Sequence, residues 1–139
     1  MIIKTEVEIT PRRIADLMVT AIEGGIGYWC ESVKLLDQPR LGKMKKPWYD
    51  DESLYDHDPR SMAAALIKIE VKELDPSSKK CPSGVWEVEL VNMEQAFILM
   101  QEYGKPKGWH FRNFINENDD AETADVWFQL AVFGEVVYS

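Results

Sequence analysis

Four carboxylates near the C-terminal end, Asp119, Asp120, Glu122 and Asp125, are the densest set of groups that could do chemistry. Neighbouring carboxylates can supply the several oxygen ligands that a hard divalent cation needs. The same residues suit a helix start, where acidic side chains complement the partial positive charge of the exposed amides. Their spacing matches no EF-hand, and no second carboxylate motif supports a two-metal site. His57 lies in Tyr-Asp-His-Asp and His110 in Trp-His-Phe. A histidine between aspartates could be a ligand or a general base. The plainer reading is a loop histidine among solvated acids for His57, and a residue of an amphipathic helix for His110. Cys30 and Cys81 are the only cysteines. Neither is spaced for a Cys–His nucleophile, two cannot make a four-cysteine zinc site, and both are expected to be free thiols.

Gly24-Gly25-Ile26-Gly27 looks like a phosphate loop but stands in the wrong order. Phosphate loops precede a helix, so that its first amides face the anion. These glycines follow a helix, and the simpler role is a C-cap and tight turn. The aromatic residues Tyr28, Trp29, Trp48, Tyr49 and Trp109 sit close to charged residues. Exposed aromatics of this kind mark contact surfaces, where they stack on a ligand or pack on another subunit. The alternative is that they belong to the core, which is the expectation for Trp86 and Trp127. The candidate ligand or partner contacts are therefore Tyr28, Trp29, Trp48, Tyr49, Trp109, Glu122 and Asp125. No residue is assigned a catalytic or metal-binding role, and no cofactor is implied.

The elements that must position these residues follow from periodicity. Residues 2–9 alternate between Ile3, Thr5, Val7, Ile9 and Lys4, Glu6, Glu8, as in a half-buried strand. Thr10-Pro11 starts a helix whose inward stripe is Ile14, Leu17, Met18, Ala21 and Ile22. Strands are expected over residues 27–36, 64–74 and 85–91, the last two forming a hairpin with a long loop. Asn92, with Gln95 three residues later, reads as the cap of a helix carrying Ala96, Phe97, Leu99, Met100 and Tyr103. Residues 109–116 should form a short helix with Phe111, Phe114 and Ile115 inward. Asp120 to Phe133 is the most apolar helix, stopped by Gly134. Ala124, Trp127, Phe128 and Ala131 form one of its stripes; Val126, Leu130 and Phe133 form another. Glu122, Asp125 and Gln129 share one narrow polar line. A helix with two apolar stripes belongs in a core and needs two covers. The second cover is either the helix near residues 93–103 or a second copy of the chain, so a homo-oligomer is one expectation.

The chain has 139 residues, of which 45% are hydrophobic, enough for one domain with a packed core. The expected architecture is α+β: a mainly antiparallel sheet of about four strands, with about four helices packed on one face. The formal net charge of −8 opposes direct nucleic-acid binding. The apolar runs are too short to cross a bilayer, and the alternating N-terminus is no signal peptide, so a cytoplasmic location is expected. Residues 37–62 hold three prolines and the acids Asp50, Asp51, Glu52, Asp56 and Asp58. This stretch reads as a protruding loop that could contact a partner.

Two segments resemble a family of small proteins of unknown function encoded by phages and prophages. They are Glu23-Gly24-Gly25-Ile26-Gly27-Tyr28-Trp29-Cys30, and the C-terminal run from Asp119-Asp120-Ala121-Glu122-Thr123-Ala124-Asp125 through Gln129-Leu130-Ala131-Val132-Phe133-Gly134-Glu135-Val136-Val137-Tyr138. The resemblance covers the two ends and not the middle. It implies an origin in a mobile element, expression inside a bacterial cell, and an accessory or anti-defence role; it brings no catalytic residues. Three functions follow as expectations. The first is a noncatalytic protein that binds or sequesters a host protein or a small ligand. The second is a metal-assisted hydrolase using Glu122, Asp125 and His57. The third is a DNA-mimicking inhibitor presenting the acids of residues 50–58.

Overall fold

The computed structural model describes residue 1 and residues 7–36, 68–76 and 81–139. The N-cap Thr10 accepts a hydrogen bond from the Arg13 amide at 3.2 Å, and α1 runs over Pro11–Thr20. Its side chains Ile14, Ala15, Leu17 and Met18 are buried, as the 3.6-residue spacing requires. The helix does not stop at a left-handed glycine. It widens into a π-helical turn, Ala21–Gly25, before the chain bends toward Tyr28 and Trp29. The glycines serve close approach instead of capping. A Cβ on Gly25 would lie 2.8 Å from the Ala121 carbonyl oxygen, so only glycine lets the backbone of the last helix rest there.

Three strands are formed by the described residues: β1 (Cys30–Leu35), β2 (Lys68–Glu73) and β3 (Val85–Glu89). They make an antiparallel sheet in the order β1-β2-β3. The register aligns Val33 with Val71 and Val71 with Trp86, and Ile69 with Val88. Ile69, Val71, Glu73 and Val88 are buried on this face. The other face is charged, with Lys68 against Glu87 at 3.1 Å and Lys72 against Glu31 at 3.0 Å. Such exposed pairs contribute little stability, but they show which face meets water. The strand expected over residues 2–9 falls mostly on residues 2–6, outside those described, and Val7 to Ile9 are not in a strand. The loop expected around residues 41–59 also lies outside them.

Glu89 ends β3 and at once caps α2 (Leu90–Met100). Asn92 was the expected cap. It lies instead in the first turn and accepts from the Glu89 amide at 2.9 Å, so the helix begins three residues earlier. Met93, Ala96, Phe97 and Met100 face inward, while Leu99 does not. In α3 (Trp109–Ile115) the inward residues are His110 and Phe114; Phe111 is half-buried and Ile115 exposed. Phe114 is inward as expected and Phe111 packs against the core, but Ile115 is not inward, and His110 turns in because α4 offers it a polar partner.

The last helix, α4 (Ala121–Phe133), forms as its caps predict. Asp120 accepts from the Thr123 amide at 2.9 Å, and Gly134 is left-handed at φ 75°. Residues 123–132 are buried without interruption. The helix packs on α1, α2, α3, the π turn and β3, and the Trp127 indole donates to the Met93 carbonyl at 3.2 Å. Both apolar stripes therefore find cover inside one chain: Val126 and Leu130 are buried, and Phe133 packs against the same core. Leu130 is only 5% exposed. Leu130→Glu is accordingly expected to destabilise the fold by about 3 kcal/mol or more, since it would bury an unpaired charge. Urea unfolding followed by circular dichroism measures this. A variant with an unchanged midpoint would show that the stripe is not internal.

Candidate functional site

Apart from the exposed Glu122, the polar line of α4 does not face water. It points at the segment after the π turn and at the C-terminal tail. Asp125 sits at the centre. Its Oδ1 accepts from the Trp29 indole N–H at 2.8 Å and from the Gln129 amide at 3.0 Å; its Oδ2 accepts from the Tyr28 hydroxyl at 2.5 Å. Gln129, one turn later, binds the tail as a strand would. Its carbonyl oxygen accepts from the backbone amides of Val137 and Tyr138, both at 2.8 Å, and its amide donates to the Tyr138 carbonyl at 2.9 Å. The Tyr138 hydroxyl in turn donates to Glu73 Oε1, while the Trp86 indole donates to Glu73 Oε2 at 2.9 Å. Glu73 is 1% exposed, so these bonds supply what water would have supplied. One network thus joins the π-turn segment, α4, the tail and the sheet.

Rings fill the space around it. Tyr138 stacks on Trp29 at 5.5 Å between centroids and 6° between planes. Phe133 lies 5.3 Å from Trp29 and meets Trp86 edge-on at 5.0 Å. Burial and the neighbouring Asp125 carboxylate hold the Tyr28 proton well above the usual tyrosine range. Burial likewise pushes the Cys30 thiol up to about 11, which makes it a poor nucleophile.

A cleft of about 470 Å³ opens beside this network. Its walls are Tyr28, Tyr103, His110, Glu122, Asp125 and Tyr138, and its floor includes Gly24, Gly25 and Val126. His110 reaches it from α3. The ring is 2% exposed, its Nδ1 lies 2.9 Å from the Thr123 hydroxyl, and Tyr103 stacks near it at 6.0 Å. Burial lowers the His110 pKa below the ordinary histidine value, against the opposing pull of Glu122 and Asp120.

The structure brings Tyr28, Trp29 and Asp125 together and puts Glu122 on the cleft wall. Trp29 is not a contact surface: it is buried, because its indole nitrogen has Asp125 to bond. Trp109 is half-buried against His110, with 3.6 Å between ring centroids, and is not among the residues lining the cleft. Trp48, Tyr49, His57 and the acids of residues 50–58 lie outside the described residues. Sequence reasoning missed Glu73, Tyr103, His110 and Tyr138 as site residues. Glu73 left a signal, since it falls on the apolar face of Ile69 and Val71. The tail gave none, because its partner is a side chain.

Both oxygens of Asp125 already accept N–H or O–H donors, which leaves poor valence for a cation. Among the described residues, no group of three or more His, Cys, Asp or Glu side chains is arranged to hold a metal.

Two measurements check this geometry. Asp125→Ala strands the Trp29 and Gln129 donors and should lower stability by about 3 kcal/mol, whereas Glu122→Ala, at an exposed position, should change it by less than about 0.5 kcal/mol. Equal urea midpoints would show that Asp125 is not a hub. For His110, the folded protein resists protonation while the unfolded chain takes up its proton at the ordinary value. Its contribution is full above that value and is lost as pH falls through it toward the lower folded one. Between about pH 7.5 and about pH 5.5, wild type should lose more thermal stability than His110→Gln, which keeps a partner for Thr123 and does not titrate. Parallel curves would count against a buried neutral imidazole.

In comparisons with known proteins, no family model matches this chain, and no curated protein or solved structure matches it, so the reading of the cleft rests on its geometry.

Proposed function

We propose that this chain is a noncatalytic binding protein that holds a small ligand in the cleft between α3, α4 and the C-terminal tail. The resemblance of its two end segments supports a phage or prophage accessory protein acting inside a bacterial cell. Sequestration of a host small molecule, as in anti-defence, is the role such a cleft would suit. The observation that carries the reading is the cleft itself. Its volume of about 470 Å³ falls within the range of small-molecule sites, and aromatic walls with a few fixed polar groups are their usual lining. The two segments that carry the resemblance are also the two that meet there, through Asp125 and Tyr28.

A metal-assisted hydrolase built on Glu122 and Asp125 is the weaker reading. Asp125 spends its acceptor capacity on Tyr28, Trp29 and Gln129. Self-association through the second stripe of α4 is also less well supported, since that stripe is covered within the chain.

Native mass spectrometry of the full chain purified from a bacterial host tests the proposal. A noncovalent adduct of small-molecule mass should appear, vanish on denaturation, and be reduced in Val136→Phe, which narrows the cleft. A protein that remains unliganded after incubation with a small-molecule extract of the host would sink it.

A further inference from the structure

The reading of the cleft as a ligand site does not say which ligand. Its walls do. Glu122 and Asp125 line it, Asp120 lies close enough to act on His110, and no lysine or arginine is among its described lining residues. An anion would meet carboxylates with nothing to offset them. A cation would meet them favourably, in a chain of net charge −8. Tyr28, Tyr103 and Tyr138 supply aromatic surface, and the negative face of such rings attracts a positive group.

His110 gives an independent indication. It is 98% buried, by its 2% exposure, yet it reaches the cleft wall. Its Nδ1 is taken by the Thr123 hydroxyl. Nothing among the described residues bonds its Nε2, and none of their enclosed polar side-chain atoms lacks a partner. Nε2 therefore keeps some accessible surface, and His110 lines the cleft. In the tautomer whose Nδ1–H donates to Thr123, Nε2 presents a lone pair. In that tautomer the ring nitrogen has one free acceptor position, which suits an N–H donor.

We infer that the cleft binds a small organic cation, a primary ammonium on a compact apolar body, with the ammonium between Glu122 and His110 Nε2 and the body against Tyr28 and Tyr103. This rests on the proposed ligand-binding role and adds the ligand class. Asp125 takes part as fixed negative charge, its oxygens being already bonded. Glu122, exposed in the first turn of α4, is the carboxylate free to turn toward the ligand.

Three probes of nearly one shape separate the possibilities: benzylammonium, benzyl alcohol and benzoate, each titrated into the ¹⁵N-labelled full chain and followed by NMR. Benzylammonium should shift the amides of Gly24, Gly25, Ala121 and Glu122 saturably, and bind about tenfold or more tightly than either other probe. Glu122→Gln should weaken it about fivefold while leaving the remaining spectrum folded, because the residue is exposed. Preferential binding of benzoate or benzyl alcohol at the same amides overturns the cation inference and leaves the ligand-binding role standing. Shifts spread over the charged face of the sheet at Glu31 and Glu87, or full affinity in Glu122→Gln, overturn it too. Silence from all three probes also overturns it, and the adduct measurement on host-purified protein then decides the broader role separately.

Discussion

The Asp125 carboxylate is the contact on which the rest of the structure depends. It is 8% exposed and would be expensive to bury alone. Three donors from three side chains make the burial tolerable, and each of those donors fixes something else. The Tyr28 hydroxyl fixes the segment after the π turn, the Trp29 indole fixes the start of β1, and the Gln129 amide fixes the tail. A charge-assisted bond is stronger than a neutral one, so the carboxylate is the natural place to gather them.

Helix geometry makes the arrangement self-consistent. Asp125 and Gln129 are four residues apart, so they lie one above the other on the same face of α4. The first binds segments that precede the sheet, the second the tail that follows the helix. Gly134 turns the chain back in a left-handed conformation, and only then can Val137 and Tyr138 reach Gln129. Tyr138 extends the reach to Glu73, so the sheet is tied to α4 through the tail as well as through packing. The apolar core and the polar network therefore constrain the same helix from different sides.

The cleft is a consequence of this arrangement. Gly24 and Gly25 carry no side chains, so the π turn passes close to α4 without filling the space beside it. Tyr28 leans over that space because its hydroxyl is held by Asp125, and His110 is turned toward it because Thr123 holds the other edge of its ring. The groups that face the cleft are oriented by bonds behind them. Such preorganisation suits the proposed binding role, since a ligand would find little left to order.

Much of the fold was legible locally. Thr10, Asp120 and Gly134 marked helix ends by their own hydrogen bonding or backbone freedom, and the structure uses each as its type dictates. Alternation marked β2 and β3, and the apolar excess of α4 marked it as the central helix. These signals are short-range, and a periodicity survives into the fold whenever one face is buried. What the sequence could not supply was the partner of each polar residue. Asp125 and Gln129 read equally well as a wet stripe until Trp29, about a hundred positions earlier in the chain, is brought against them. The phase of α3 likewise depended on Thr123, because an imidazole turns inward only if the core offers it a hydrogen bond. By itself the sequence determined most of the elements, the caps at Thr10, Asp120 and Gly134, and the α+β class. Tertiary structure alone decided which polar groups are buried, since burial of a charge is settled by donors that arrive from elsewhere in the chain.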